Sequence, residues 1–149
     1  MQAKKGTHYS AAETGALHDL DQQAHPHPKL GPIRGKLFLQ NLLGLTGMEV
    51  SLNKMGPGGS LPFFHRHREH EELYIFVGGK GQFYIDDEVI EVREGTVIRV
   101  APEGARTWRN NSTEPLYYLC IQAAAGTVKG DATSDGMGVD KPVVWRDST

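Results

Sequence analysis

The sequence lacks the features that mark secreted, membrane-spanning or nucleic-acid-binding chains. It has one cysteine in 149 residues, so an intramolecular disulfide is impossible. No apolar run approaches the length of about 18 residues that a membrane helix needs, and the polar N-terminus does not resemble a signal peptide. The formal net charge is −2 without a block of like charges, whereas phosphate binding needs a concentrated basic face. These features predict a cytoplasmic protein that has neither nucleic acid nor a membrane as partner.

Turn-forming residues and short apolar runs are abundant. The chain contains 18 glycines and 8 prolines, and its strand-like segments follow one another at intervals typical of antiparallel sandwiches and barrels. The predicted strands cover residues 36–41, 48–53, 63–67, 73–77, 82–85, 89–92, 97–100, 107–109 and 116–122. Asp86 and Asp87 separate two of these segments in the pattern of a hairpin. The pattern therefore predicts an all-β domain.

Both ends of the chain differ from this central part. Residues 1–34 are predicted to form an arm, with a short helix over residues 11–20 because Ser10 to Glu13 has capping-box spacing. Within the arm, His25-Pro26-His27-Pro28 predicts an extended connector, and its histidines are either metal ligands or part of a linker. Residues 126–149 are predicted to form a loop and a last short strand, Val143-Val144-Trp145, that docks on the body.

The most informative segment is a cluster of histidines and glutamates after residue 63. Side chains two residues apart on a strand point to the same face, so His65 and His67 can reach one point. Glu72 begins the next predicted strand, and its carboxylate can enter the same space if the two strands pair. Two imidazoles and one carboxylate form a metal-binding triad that leaves positions open. The alternatives are a solvent-exposed polar turn, or a site in which His70 is a substitute metal ligand.

This segment resembles the first motif of the cupin superfamily, written G-x5-HxH-x(3,4)-E-x6-G. The matching residues in this sequence are Gly59, His65, His67, Glu72 and Gly79. Glu71 with Gly78 also satisfies the looser spacing. Glu72 is preferred because it leads directly into the apolar run from Leu73 to Val77.

The second cupin motif, G-x5-P-x-G-x2-H-x3-N, has an imperfect counterpart from Gly95 to Asn110. In this register Arg106 stands at the place of the motif's histidine. A register anchored on Pro102-Glu103-Gly104 instead places Thr107 there. Arg106 is favoured because Asn110 then leads into the turn before the last barrel strand. In either register the fourth metal ligand of the family is absent.

The resemblance implies a cupin jelly-roll, an antiparallel β-barrel over about residues 35–125, in a homodimer. It also implies a divalent transition metal (Fe, Mn, Ni, Zn or Co) and a small anionic metabolite as ligand. An enzyme of this kind would be a metal-dependent dioxygenase, isomerase or decarboxylase. The family also contains binding proteins without catalysis, so the fold does not give the reaction.

An arginine inside the barrel allows two arrangements. In the first, a metal binds His65, His67 and Glu72, and Arg106 binds an anionic substrate beside it. In the second, Arg106 pairs with Glu72 and no metal is needed, so the barrel is a sensor or carrier with Arg106 as anion anchor.

Strand alternation supplies the remaining candidates for the interior. Tyr74, Gln82 and Tyr84 are predicted to line it as possible ligand contacts. Phe76 is predicted to be a core residue. Trp108 and Trp145 are predicted to be anchors of the core or of an interface. Cys120 is predicted to be a buried structural thiol.

Overall fold

A computed structural model describes residues 1–148 of the chain, and residue 149, the last position of the predicted tail, lies outside the described part. The strands are β1 (Lys4–Lys5), β2 (Ser10–Ala11), β3 (Ala24–His25), β4 (Ile33–Arg34), β5 (Lys36–Phe38), β6 (Glu49–Met55), β7 (His70–Gly78), β8 (Lys80–Ile85), β9 (Glu88–Arg93), β10 (Val97–Val100), β11 (Arg106–Arg109) and β12 (Leu116–Ala124). The helical elements described are a 3-10 helix, Leu17–Asp19, and α1, Gln40–Leu43.

Two antiparallel sheets form the body of the protein. One sheet has five strands in the order β10-β7-β12-β6-β5, and the other has three in the order β11-β8-β9. Strands that are far apart in sequence are neighbours in space, as the jelly-roll arrangement requires. The prediction of an all-β jelly-roll fold is confirmed.

Alternate side chains of both sheets meet in one core. On β7 the inward side chains are Glu72, Tyr74 and Phe76, while β8 contributes Phe83 and β11 contributes Trp108. The ring of Tyr74 lies 4.9 Å from that of Phe83 and 5.1 Å from that of Trp108, measured between centroids. Aromatic packing between the sheets thus closes the interior beside Glu72.

The chain passes from one sheet to the other at Gly79, between β7 and β8. The φ angle of Gly79 is +79°, in the left-handed region that side chains other than glycine rarely adopt. A Cβ atom at this position would lie 2.2 Å from the carbonyl oxygen of Pro115. Both the backbone angle and the close approach therefore require glycine at the end of the first motif.

The predicted hairpin at Asp86 and Asp87 is present. The two residues connect β8 to β9 with φ angles of 52° and 59°. Two successive left-handed residues match the twist of the flanking strands, as in a type I′ turn. Aspartate tolerates this region better than most residues, which explains why the sequence signal was correct.

The N-terminal arm differs from its prediction. Instead of a helix over residues 11–20, β2 pairs with β1 and a 3-10 helix spans Leu17–Asp19. Gly15, at a φ angle of +77°, interrupts any helix through this region. The connector is not extended either, because β3 pairs with β4 and His27 donates its backbone N–H to Gly31. The segment is a small hairpin against the body.

The predicted C-terminal strand is wrong for the residues that the structure describes. Residues 126–148 contain turns but no strand, and the side chains of Val143, Val144 and Trp145 are exposed. Trp145 is therefore not a core residue, whereas Trp108 and Cys120 are buried as predicted. Within residues 1–148, no helix has the length and apolar character needed to cross a membrane.

Candidate metal centre

The segment between β6 and β7 carries His65 and His67 along the edge of β11. His65 and Arg106 exchange both backbone hydrogen bonds at 3.1 Å, and Ser60 forms a bridge with Arg109. Between these two contacts the segment has two more residues than β11, so the two stretches cannot pair residue by residue. Pro62, which lies in this segment, also has no N–H to donate. The prediction of a continuous strand over residues 63–67 is therefore wrong, although single bridges hold the segment in place.

The structure brings the three sequence-predicted metal ligands together. One ligand atom each from His65, His67 and Glu72 lies within 4.8 Å of the other two. The imidazole centroids are 5.6 Å apart, and Nε2 of His67 lies 2.5 Å from Oε1 of Glu72. The side chains of residues 65 and 67 thus face the same space even though the backbone between them is not a regular strand.

Glu72 lies on the inner face of β7 and is almost fully buried. Its Oε2 accepts hydrogen bonds from the hydroxyl of Tyr74 and the thiol of Cys120, and Nη2 of Arg106 lies 3.1 Å from it. Burial alone would raise the pKa of Glu72, but the Tyr74 hydrogen bond and the Arg106 charge outweigh burial and lower the pKa to about 2. The carboxylate is therefore ionised, with Oε1 directed toward the imidazoles.

Arg106 is fully buried and contacts three protein groups. Besides its contact with Glu72, it donates from Nε to the hydroxyl of Tyr74 at 3.2 Å and from Nη1 to the carbonyl of Gly104 at 2.9 Å. The guanidinium has no exposed surface, and its Nη2 atom is close to Glu72 but has no hydrogen-bond partner among the described residues, so a role of Arg106 in anion binding stays a prediction. Thr107 points to the other face of β11 and donates to the carbonyl of Leu61. Arg106 is thus the inward residue of the two.

His65 has the character of a neutral imidazole. Burial, and next the positive charge of Arg106, lower the pKa of His65 below its usual value. Its Nδ1 atom is buried and has no hydrogen-bond partner among the residues that the structure describes. Neutral imidazole is the form that binds metals. Two imidazoles and one ionised carboxylate fit a divalent transition metal, and the residues present are therefore suited to such an ion.

His70 and Tyr74 lie beside the triad without belonging to it. Nδ1 of His70 lies 2.9 Å from Oε1 of Gln122, and the ring of His70 stacks on that of His67 with centroids 6.3 Å apart. Tyr74 faces the interior as predicted, but its hydroxyl is bound to Glu72.

The prediction that Gln82 and Tyr84 line the interior is wrong. Phe83 is the buried residue of this stretch of β8, so its two neighbours point to the outer face. Gln82 there accepts hydrogen bonds from Arg109, and the ring of Tyr84 packs at 5.2 Å from that of Phe64. The chain changes sheets between β7 and β8, so alternation counted from Glu72 does not carry over to β8.

A cavity of about 860 Å³ lies beside His70, whose ring stacks on that of His67. Residues of the barrel and of the N-terminal arm form its wall. The arm residues that line it include His25 and His27. The barrel residues in this wall include Phe38, Glu49, His70 and Gln122. The predicted arm is therefore part of the pocket.

Lys36 is an interior residue that the sequence analysis did not identify. Its Nζ donates to Oδ1 of Asn53 at 3.0 Å and lies 5.1 Å from the ring centroid of Phe38. Burial lowers the pKa of Lys36, while the negative charges of Glu72 and Glu49 oppose that change. The available sequence signal was the alternation of Lys36-Leu37-Phe38, which places residues 36 and 38 on one face.

The chain is similar to proteins of one family. Residues 51–122 match the family described as the cupin domain. An uncharacterized protein of Methanocaldococcus jannaschii is 34% identical over 93 residues, which are 62% of this chain and 73% of that protein. The crystal structure of a cupin protein from Bacteroides fragilis is 34% identical, with a TM-score of 0.74, and the match covers 90% of this chain and 99% of that one.

A more distant structure shares the fold alone. It is a Cupin 2 conserved barrel domain protein from Salinispora arenicola, 18% identical with a TM-score of 0.59 over 77% of this chain and 91% of that one. The two relatives at 34% identity each match across more than two thirds of their own length. With the two-sheet fold and the matched cupin domain, they show that this chain belongs to the cupin family.

Proposed function

We propose that this protein is a cupin that binds a divalent transition metal and, next to it, a small anionic metabolite. One observation carries the proposal. The ligand atoms of His65, His67 and Glu72 converge within 4.8 Å, and His70, which stacks on His67, lines a cavity large enough for a small molecule. Three protein ligands leave coordination positions open, which is typical of catalytic and ligand-binding metal sites rather than structural ones.

The chain's own residues prepare this site in distinct ways. Tyr74, Arg106 and Cys120 all contact Oε2 of Glu72, so they hold the carboxylate ionised with its other oxygen toward the imidazoles. The aromatic core behind Tyr74 excludes water from that side. A bound divalent metal would supply Lewis-acid chemistry, and an iron or manganese ion also redox chemistry. Dioxygenase, isomerase and decarboxylase activities remain the candidate reactions.

Metal content tests the proposal directly. The protein is purified without a histidine tag, equilibrated separately with Fe(II), Mn, Ni, Zn and Co, freed of unbound metal and measured by mass spectrometry. We expect about one equivalent of at least one metal and a loss of most of it in His67→Ala. His70→Ala is the matched control, since His70 stacks on His67 outside the triad, and it should retain the metal. Less than about a tenth of an equivalent of every metal in the wild type would reject the proposal.

One observation favours a second function, a metal-free binding barrel. Arg106 already pairs with Glu72 at 3.1 Å, and a guanidinium beside the metal position repels a second cation. In that case the barrel would bind its ligand without a metal. The same measurement separates the two functions, because the metal-free barrel predicts no stoichiometric metal in either the wild type or the variants.

A further inference from the structure

The C-terminal tail, residues 126–148, carries an exposed apolar segment. The side chains of Val143 and Val144 are exposed, and Trp145 is 92% exposed. Tryptophan has a large apolar surface, and exposed apolar side chains that lie together mark sites of protein–protein contact. On extended backbone, Val143 and Trp145 point to the same side. The segment therefore has the composition of an interface anchor.

The outer face of the three-stranded sheet has an apolar cleft of about 290 Å³. The residues that line it are Ser60, Leu61, Gln82, Tyr84, Val89, Thr107, Trp108 and Arg109. Beside the cleft, the ring of Phe64 packs on that of Tyr84, and Phe64 and Val89 are exposed. Cavities that hold metabolites have volumes of about 300–1,000 Å³, so a cleft at this lower limit suits a single inserted side chain.

Charged residues border the cleft on two sides. Arg109, on β11, donates two hydrogen bonds to Oε1 of Gln82, and Nε2 of Gln82 donates to Oε1 of Glu91, on β9. An arginine and a glutamate thus lie on opposite sides of Gln82, which lines the cleft. In the tail, Arg146 and Asp147 directly follow the apolar segment. A docked tail can place Arg146 toward Glu91 and the neighbouring aspartate toward the arginine, so opposite charges meet on both sides.

The tail is long enough to reach a neighbouring molecule. β12 ends at Ala124, and residues 126–142 separate it from the apolar segment. Because extended chain spans at most about 3.3–3.6 Å per residue, this stretch reaches up to about 60 Å. In the single chain, however, the apolar segment stays exposed and the cleft stays open. Both surfaces are therefore free for a second copy.

We propose that two copies of this chain exchange their C-terminal tails, and that Trp145 of one copy inserts into the cleft on the outer sheet face of the other. Val143, on the same side of the tail, then packs on the exposed apolar side chains around the cleft. A two-fold exchange makes every contact twice and closes the assembly at two copies. The cleft is on the outer face of the sheet, so the inference does not depend on the metal site.

Sedimentation equilibrium of the full chain over a range of concentrations tests the exchange. We expect a dimer whose dissociation constant rises by about thirtyfold or more in Trp145→Ala, because a tryptophan that fills a pocket carries much of an interface's binding energy. Trp145 is exposed in the single chain, so its replacement leaves the fold intact. Val128→Ala, at another exposed position of the tail, is the matched control and should stay within about twofold of the wild type.

The cleft is tested from the other side by Val89→Lys, which places a charge at its edge. This substitution should raise the dissociation constant by about tenfold or more, because the lysine would lose water on docking. Val97→Lys, at an exposed valine of β10 in the other sheet, is the control and should dimerise normally. A mixture of Trp145→Ala and Val89→Lys should associate more tightly than either variant alone, since the first keeps an intact cleft and the second an intact tail.

Several results would overturn the exchange. A wild type that is monomeric at every concentration rejects it, and slow tryptic cleavage after Arg146 in that monomer would indicate a tail docked in its own cleft. If Trp145→Ala dimerises like the wild type, the dimer is built on another surface. Equal effects of Val89→Lys and Val97→Lys reject the cleft as the docking site. A mixture that associates no better than its two components rejects the transfer of tails between copies.

Discussion

Nη2 of Arg106 and Oε2 of Glu72 lie 3.1 Å apart in the interior, and the two residues are 0% and 3% exposed. Transfer of either charge out of water is costly. Hydrogen bonds from Tyr74 and Cys120 to Glu72, and from Arg106 to Tyr74 and Gly104, offset part of this cost, while Nη2 of Arg106 has no hydrogen-bond partner among the described residues. In the register that aligns Arg106 with the histidine of the second motif, this pair accounts for an arginine at that position. In the proposed metal site, the arginine would support the carboxylate of Glu72 instead of binding the metal itself.

The first prediction concerns this pair in metal-free protein. Arg106→Met removes the cation and leaves Glu72 buried without its partner, so we expect the free energy of unfolding to fall by about 3–5 kcal/mol. The double variant Arg106→Met with Glu72→Gln should be more stable than the single one, since no unpaired charge remains. Urea denaturation in the presence of EDTA measures both. A single variant within about 1 kcal/mol of the wild type would show that the carboxylate is not held by Arg106.

Metal removal provides the second prediction. A ligand that binds the folded state alone stabilises it by about 2.7 kcal/mol at a concentration of 100 times its Kd. We therefore expect the bound metal to raise the unfolding free energy by that amount and EDTA to reverse the change. In His67→Ala the metal should produce little stabilisation. An equal effect of the metal on the variant and the wild type would place the binding site elsewhere.

The triad was predictable from sequence for a local reason. His65 and His67 are close in the chain, and a two-residue spacing on extended backbone keeps both side chains on one side. The interior role of Lys36 depends instead on pairing with Asn53, 17 residues away. Whether Gln82 and Tyr84 face the interior or the outer side likewise depends on how many residues the chain uses around Gly79, where it passes from one sheet to the other. Such long-range registers are set by packing, so the sequence pattern does not fix them.

The third prediction concerns Trp108 and Tyr118, which face each other across the core. Nε1 of Trp108 donates to the hydroxyl of Tyr118 at 2.9 Å, and both side chains are buried. Tyr118→Phe leaves the indole N–H without an acceptor, so we expect a loss of about 1–3 kcal/mol in unfolding free energy. Tyr117→Phe, on the neighbouring and less buried residue, is the control and should change stability by less than about 0.5 kcal/mol. Equal effects of the two substitutions would contradict this account.

The hairpin turn gives the fourth prediction. Asp87 has a φ angle of 59°, which costs energy for a residue with a side chain. Asp87→Gly should therefore stabilise the protein by about 0.4–1 kcal/mol, although the added freedom of the unfolded chain reduces the gain. Asp87→Val should destabilise it, because a β-branched residue is strained at positive φ. Thermal unfolding of the two variants checks the order, and a valine variant as stable as the glycine variant would exclude the turn described.

The last prediction is a pH dependence at the contact between the arm and β6. Oδ1 of Asp21 lies 2.7 Å from Nζ of Lys54, which also donates to the carbonyl of His18 at 2.6 Å. The hydrogen bond from Lys54 lowers the pKa of Asp21 in the folded state. A lowered pKa means that the contact stabilises the fold above the unfolded pKa of 3.8 and loses this effect as the pH falls through the folded value.

Asp21→Asn should therefore unfold at a lower temperature than the wild type at about pH 7, and the two melting temperatures should converge as the pH falls through the folded pKa of Asp21. Because the contact is at the surface, salt of about 0.5 M should also reduce the difference. Asp140→Asn, in the exposed C-terminal tail, is the control and should follow the wild type at every pH. If the gap between Asp21→Asn and the wild type stays constant from neutral to acid pH, the arm is not held by this charge pair. In that event burial of the arm's Leu20 would have to account for its attachment.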